Sequence, residues 1–224
     1  MEPFYFYTRI TQELLLGRKA KNIKELRSGI DTVPRQSIYH HTHRYLEQHQ
    51  TLSPESPNDF SYWVTCNLGL RKLGEMIASI DIFRFPNLDD LRQAFIDVLD
   101  HYLASTPQVR NCIPGEEFYF MSSRIFVLPT PLVAFTPAEF LDGLNNVTIH
   151  SLYYHMFEAR LRLKRGDNDF SHWLRKAGYA RLAERISRID PYTFTVQGLR
   201  KEIIRMVQAE LSTREEAHSA VAEG

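Results

Sequence analysis

The stretch Ser37-Ile-Tyr-His-His-Thr-His43, followed by Asn58-Asp-Phe-Ser-Tyr-Trp63, decides the fold because the chain contains it twice. The second copy reads Ser151-Leu-Tyr-Tyr-His155 and then Asn168-Asp-Phe-Ser-His-Trp173. Self-similarity over about a hundred residues indicates repeated structural units. The sequence therefore predicts a tandem duplication, and positions that the match pairs are called counterparts below.

The matched segments carry helix signals outside the quoted stretch as well. Asn22-Ile-Lys-Glu25 and Thr136-Pro-Ala-Glu139 read as two copies of one capping box. Ser37 and Ser151 are good N-cap residues for the helices that follow them. Phe-Tyr-Phe opens each copy, and aromatic residues favour strands. We predict a mainly α fold with about five helical segments in each unit of roughly a hundred residues. Short strands at Phe4–Ile10 and Phe118–Val127 are expected to pair.

The predicted boundaries follow from where the two copies start and stop matching. Residues 1–104 form the first helical repeat unit and residues 117–212 form the second. The segment 105–116 contains Ser, Thr, Pro and Gly and is predicted to be a linker. The residues 213–224 lack apolar periodicity and are predicted to be a flexible tail.

The composition excludes some classes of partner. The chain has 224 residues, with 27 Lys and Arg against 27 Asp and Glu, so no basic excess favours nucleic acid. The most apolar stretch, Ile125 to Phe135, contains two prolines and is too short to span a bilayer. Residues 1–7 lack the features of a signal peptide. With two cysteines in no metal-type pattern, we expect a cytoplasmic protein that binds neither nucleic acid nor membrane.

Residues shared by both copies are more often structural than functional, since both copies must fold alike. Trp63 and Trp173 are therefore predicted to be core anchors. His41 and His155 lie on the helix face expected to be buried, where a neutral imidazole normally makes two hydrogen bonds. The functional alternative is a pocket shared by the two units, because ligand sites favour such places. Its predicted lining is Tyr39, His41, His43, Tyr153 and His155.

A second hypothesis uses residues found in only one copy. His40 and His43 are three residues apart on a helix, where two imidazoles can reach one divalent metal. Asp59, His49 or Glu47 could complete the site only through the fold. A metal held there could activate water, which predicts a metal-dependent hydrolase or a related enzyme. The sequence contains no glycine-rich phosphate loop and no nucleophile elbow, so it leaves open whether the chain is an enzyme and predicts no other cofactor.

The combination of Ser-Ile-Tyr-His-His-Thr-His, Asn-Asp-Phe-Ser-Tyr-Trp and Tyr-His-Met-Phe-Glu-Ala-Arg-Leu-Arg-Leu resembles an uncharacterised prokaryotic family, a domain of unknown function. The resemblance extends from Phe4 to about Leu211 and implies a cytoplasmic bacterial or archaeal protein with no established activity. It assigns no functional residues. The expected function is a non-enzymatic binding module, with a pocket between two pseudo-symmetric helical units for a small polar ligand or a partner protein.

Overall fold

The computed structural model is mainly helical and contains one antiparallel sheet of two strands. Its contacts divide the chain into two compact units. One unit holds residues 11–125. The other holds residues 126–224 together with residues 1–10 and is called the 126–224 unit below. This grouping differs from the predicted repeat boundaries, since the first ten residues belong with the second half of the chain. The structure describes residues 2–49, 56–106, 108–163, 167–190 and 194–222.

The two strands are longer than the sequence predicts, while their predicted pairing is confirmed. Strand β1 is Phe4–Ala20 and strand β2 is Phe118–Ala134, each of 17 residues. Burial alternates at the start of each strand, as expected for a sheet with one face on a core. Pro129 and Pro131 lie within β2, which is tolerated because a strand of a two-stranded sheet has one edge without a partner.

The helices of the 11–125 unit follow β1 in order. They are α1 (Ile23–Thr32), α2 (Arg35–Tyr39), a π-helical turn (His40–Arg44), α3 (Tyr45–His49), α4 (Asp59–Cys66), α5 (Arg71–Ala78), a 3₁₀ turn (Ile82–Arg84) and α6 (Leu88–Ser105). The helices of the 126–224 unit follow β2 in the same way. They are α7 (Pro137–Asn146), α8 (Ile149–Tyr153), a π-helical turn (Tyr154–Glu158), α9 (Ala159–Leu163), α10 (Asp169–Lys176), α11 (Ala180–Ser187) and α12 (Val196–Ala222).

The helical segments at 35–49 and 149–163 each contain a π-helical turn in their middle. A π turn has wider hydrogen-bonded rings than an α-helix and is frequent at functional sites. It brings four consecutive side chains, His40 to His43, into buried positions, where regular helical spacing predicts fewer. The predicted caps Ser37 and Ser151 are wrong, because Pro34 and Thr148 occupy the N-cap positions and both serines lie inside the helix.

Several predicted features stand differently in the structure. Cys112, within the predicted linker 105–116, is buried, and its N–H donates to the carbonyl of Lys21 at 2.7 Å. Helix α12 runs through Ala222, although the sequence predicts a flexible tail from residue 213. Over the described residues, no helix is both long and apolar enough to cross a membrane.

Each unit buries an aromatic ring against a glycine on a helix. In the 126–224 unit, the Phe6 ring lies against Gly143 of α7 and stacks on Phe140 with 5.7 Å between ring centroids. In the 11–125 unit, the Phe120 ring lies against Gly29 of α1. A methyl group at either glycine would overlap the ring. The glycines therefore make room for the strand aromatics.

We expect Gly143→Ala to lower the free energy of unfolding by about 1–3 kcal/mol, since the new Cβ would displace the fully buried Phe6 ring. Urea denaturation measures the effect. Gly198→Ala in α12 is the control, because the nearest atom to its Cβ would be the Thr195 hydroxyl, at 3.2 Å, with Phe194 at an ordinary contact distance of 3.7 Å, and alanine favours helices. Equal stability of Gly143→Ala and wild type would show that this contact is loose.

Candidate functional site

His155 uses both ring nitrogens within the 126–224 unit. Its Nδ1 lies 2.7 Å from Oδ2 of Asp169, and its Nε2 accepts the backbone N–H of Tyr7 at 2.9 Å. An imidazole that accepts at Nε2 carries its proton at Nδ1, so Nδ1 donates to the carboxylate. The residue is 2% exposed, and this burial lowers its pKa. His155 is therefore a neutral side chain that joins a strand to a helix.

His41 has the same arrangement in the 11–125 unit. Its Nδ1 lies 2.7 Å from Oδ2 of Asp59, and its Nε2 accepts the backbone N–H of Met121 at 3.0 Å. The ring is buried and lies 4.6 Å from the Phe118 ring, centroid to centroid. Both histidines thus make the two hydrogen bonds predicted for a buried, neutral imidazole with a structural role.

The Asn-Asp-Phe-Ser-x-Trp motif, which occurs in both units, supplies the hydrogen-bond partners of each histidine and of the chain before each strand. Asn58 and Asn168 are N-caps whose side chains accept a backbone N–H, and the aspartate after each one accepts from histidine. Each tryptophan is buried, which confirms the predicted core anchors. The Trp63 indole donates to the carbonyl of Glu116 at 2.7 Å. The Trp173 indole donates to the carbonyl of Glu2 at 2.9 Å, so each motif fixes one strand start.

The other predicted pocket residues are buried in separate units. Tyr39 and His43 stack in the 11–125 unit, with 5.6 Å between ring centroids and an interplanar angle of 6°. Tyr153 is fully buried in the 126–224 unit and lies under the guanidinium of Arg9, 5.2 Å from its ring centroid. The pocket shared by the two units stays a prediction.

The predicted metal residues each have a different hydrogen-bond partner. His40 Nδ1 lies 2.9 Å from the Ser123 hydroxyl, and Asp59 accepts from His41. His43 Nδ1 lies 3.1 Å from the Thr42 hydroxyl, which itself donates to the Ile38 carbonyl. Within the described parts of the chain, no three His, Cys, Asp or Glu side chains form a group that could hold a metal ion. The structure therefore does not bring the predicted metal ligands together.

The His40 side chain makes stability depend on pH. Burial, and then the neighbouring His41, lower the pKa of His40 from 6.5 to about 4. The unfolded chain therefore takes up this proton at higher pH than the folded chain, and stability falls as pH drops from about 6.5 to about 4. We expect His40→Gln to flatten this part of the profile of unfolding free energy against pH. The exposed His101→Gln is the control; identical slopes in wild type and His40→Gln would contradict the assignment.

A cavity of about 240 Å³ opens beside His155 in the 126–224 unit. Phe4, His155, Asp169 and Trp173 form part of its wall, and these residues have identical counterparts in the other copy. Three further lining residues are basic or ionisable and are not repeated, namely Arg162, His172 and Lys176. Their counterparts are Gln48, Tyr62 and Cys66. The cavity is thus lined both by residues with identical counterparts in the 11–125 unit and by residues whose counterparts there differ.

The charges around this cavity are arranged in pairs. Arg162 donates to Oδ2 of Asp169 at 2.6 Å and lies over the Tyr154 ring, 4.7 Å from its centroid. Lys176 lies 3.4 Å from a carboxylate oxygen of Glu2. Oδ2 of Asp169 accepts from both Arg162 and His155, while its Oδ1 has no hydrogen-bond partner among the described residues. Asp169 therefore retains one acceptor atom for a bound molecule.

Arg162, His172 and Lys176 are not among the site residues that the sequence predicts. Each is a common surface residue type. His172 and Lys176 are four residues apart and share a face of α10, but no motif connects them with Arg162. The available signal is the comparison of the two copies, in which basic residues at these positions stand against Gln, Tyr and Cys. That comparison shows divergence without showing that the three positions surround one cavity.

The fold is mainly helical with one antiparallel sheet of two long strands, and a buried His–Asp contact lies in each unit. A model described as "Family of unknown function (DUF5752)" matches residues 1–208, and the chain belongs to this family. It is also similar to a solved structure described as "The structure of OrfY from Thermoproteus tenax". The two are 31% identical, the match covers 93% of this chain and 95% of the other, and the TM-score is 0.77. No curated protein matches.

Proposed function

We propose that the chain is a non-enzymatic binding module whose 126–224 unit takes a small polar ligand in the cavity beside His155 and Asp169. The observation that carries this proposal is the unrepeated set Arg162, His172 and Lys176 around a repeated framework. A framework needed only for folding explains the shared residues. It does not require basic side chains at three positions where the other copy has none.

The chemistry of the lining indicates which ligand fits. Arg162 is suited to a carboxylate or phosphate group, since its guanidinium offers several donors in a planar fork. Oδ1 of Asp169 can accept from a hydroxyl or amino group on the same molecule. Tyr5, which is 53% exposed, presents an aromatic surface at the rim. A volume of about 240 Å³ suits a small molecule with an acidic group at one end and a donor at the other.

The proposal includes a tandem duplication as the origin of this arrangement. The contacts that support it are repeated between counterpart residues: histidine to aspartate, histidine to a strand N–H, and tryptophan to a strand carbonyl. The contact between a helix glycine and a strand phenylalanine is repeated too, as Gly29 with Phe120 and Gly143 with Phe6. Residues shared by the two copies are explained by the fold that both copies need. Residues found in one copy alone are therefore the candidates for function.

A cytoplasmic location belongs to the same proposal. Cys66 and Cys112 are free thiols, one exposed and one buried. Free thiols are the normal state in a reducing compartment. Burial raises the pKa of the Cys112 thiol, which makes this residue less reactive still.

We expect Arg162→Met to weaken ligand binding at least about tenfold, because a charge-assisted hydrogen bond contributes roughly 1.5–3 kcal/mol. A thermal-shift screen of small carboxylates, phosphates and amino acids finds ligands of the wild type, and calorimetry then measures their affinity for each variant. Arg188→Met is the matched control, since Arg188 lies outside the cavity and is 78% exposed at its side chain. Ligands that bind Arg162→Met as tightly as wild type would contradict the proposed site.

A further inference from the structure

A second cavity, of about 500 Å³, lies in the 11–125 unit. It is lined by Leu14, Gln36, Ser122, Ser123, Arg124 and Ile125. Its polar groups are two hydroxyls, an amide and a guanidinium, and none of the lining residues is acidic. Each of the four polar side chains can donate a hydrogen bond. The lining therefore suits a group that accepts hydrogen bonds and carries negative charge.

The counterpart positions in the 126–224 unit are occupied differently. Arg9 is the counterpart of Ser123; it is 3% exposed, and its Nε lies 3.2 Å from a carboxylate oxygen of Glu158. Thr8 is the counterpart of Ser122, and its hydroxyl lies 3.1 Å from that of Thr148. One unit thus fills these positions with a long buried side chain and a hydroxyl pair. The other unit has two small serines there, beside a cavity.

The polar groups of the second cavity retain hydrogen-bonding capacity. Arg124 is exposed, and within the described chain it has no acidic partner. The Ser122 hydroxyl likewise has no hydrogen-bond partner among the residues that the structure describes, although the residue is buried. Ser123 is held by His40, whose Nδ1 lies 2.9 Å from the hydroxyl. When His40 donates at Nδ1, the hydroxyl hydrogen of Ser123 remains available to a ligand.

We propose that this cavity is an oxyanion site, which binds the carboxylate or phosphate group of a small molecule through Arg124, Ser122 and Ser123. Arg124 supplies the charge, and its guanidinium matches the two oxygens of either group. Two adjacent serines on β2 and the Gln36 amide add donors without adding charge. Since Arg124 has isoleucine, Ile10, as its counterpart, the site belongs to the 11–125 unit alone. It is separate from the cavity beside His155 and does not depend on a ligand there.

The test uses inorganic phosphate and acetate as probes of the full chain. Binding is followed by NMR chemical shifts of the backbone amides of residues 122–124 at constant ionic strength, with chloride as the comparison anion. The variants are Arg124→Gln and Ser122→Ala. Arg84→Gln is the matched control, because Arg84 lies in the same unit outside the cavity and its side chain is 84% exposed. Arg162→Met removes a charge from the cavity beside His155, so it distinguishes binding there from binding in the second cavity.

We expect saturable shifts with phosphate or acetate, weakened about tenfold by Arg124→Gln and several-fold by Ser122→Ala. At the amides of residues 122–124, Arg84→Gln and Arg162→Met should show the same saturable shifts as wild type. A stronger response to phosphate than to acetate would identify the ligand as one with a phosphate group. A stronger response to acetate would identify it as one with a carboxylate group. Shifts no larger than those with chloride, or shifts unchanged in Arg124→Gln, would overturn the proposal. Thermal unfolding of each variant confirms that it is folded under the conditions used.

Discussion

His155→Phe is expected to lower the free energy of unfolding by about 2–4 kcal/mol, although phenylalanine has a similar ring. The change leaves the backbone N–H of Tyr7 without its acceptor, at a cost of about 1–3 kcal/mol. It also removes the donor to Asp169, and hydrogen bonds to charged groups contribute about 1.5–3 kcal/mol. Arg162 still donates to this carboxylate, which limits the loss. Urea denaturation followed by circular dichroism measures the change.

Two further substitutions make this result specific. His41→Phe should cost a similar amount, since His41 makes the same two hydrogen bonds in the 11–125 unit. His101→Phe should change stability by less than about 0.5 kcal/mol, because His101 is exposed on α6. If His155→Phe folds as stably as wild type and loses only ligand binding, the two hydrogen bonds of His155 do not stabilise the fold and its role is in binding alone.

Phe6→Ala should have the largest effect, a loss of about 3–5 kcal/mol, because a fully buried ring is removed from a packed core. Phe6 contacts the rings of Phe4 and Phe140, with centroid distances of 4.8 and 5.7 Å. The helices of the 126–224 unit are not expected to close over the resulting space, since Gly143 opposite Phe6 has no side chain to fill it. Urea denaturation again gives the free energy.

Tyr5→Ala is the matched control on the adjacent strand position. Tyr5 is 53% exposed, so its loss should cost no more than about 1 kcal/mol, the range of strand propensities. The same substitution should weaken ligand binding, because Tyr5 lines the cavity beside His155. Equal losses of stability for Phe6→Ala and Tyr5→Ala would show that β1 does not have one face in the core.

The sequence predicts the helical class of the fold well, because caps and apolar periodicity are local signals. The two Phe-Tyr-Phe segments are likewise predictable as strands, since aromatic alternation is a local signal. The length of β1 is not: Thr11-Gln-Glu-Leu-Leu-Leu-Gly17 has no alternating pattern, and only pairing with β2 makes it a strand. The π turns are also absent from local signals, which is why regular helical spacing predicts fewer buried side chains around His41 than the structure contains.

The candidate site, too, is predictable from the sequence only in part. His155, Asp169 and Trp173 are predictable as a set because they are repeated, whereas their contacts come from the fold. His155 accepts from the N–H of Tyr7 in β1, Asp169 accepts from His155, and Trp173 donates to the carbonyl of Glu2. That Arg162 and Lys176 lie at one cavity is a consequence of the fold, which composition does not determine. The metal hypothesis for His40 and His43 rested on spacing alone. Their hydrogen bonds to Ser123 and Thr42 come from the fold.

The most direct test of ligand binding in the 126–224 unit uses the two tryptophans of the chain as reporters. Trp173 lines the cavity and donates its indole N–H to Glu2, while Trp63 makes the corresponding hydrogen bond in the 11–125 unit. Two-dimensional NMR resolves the two indole signals, and Trp63→Phe assigns them. We predict that pools of small carboxylates, phosphates and amino acids contain compounds that shift the Trp173 signal and leave Trp63 unchanged, and that Arg162→Met abolishes the shift. No response at Trp173, or a response that survives Arg162→Met, would contradict the proposed function.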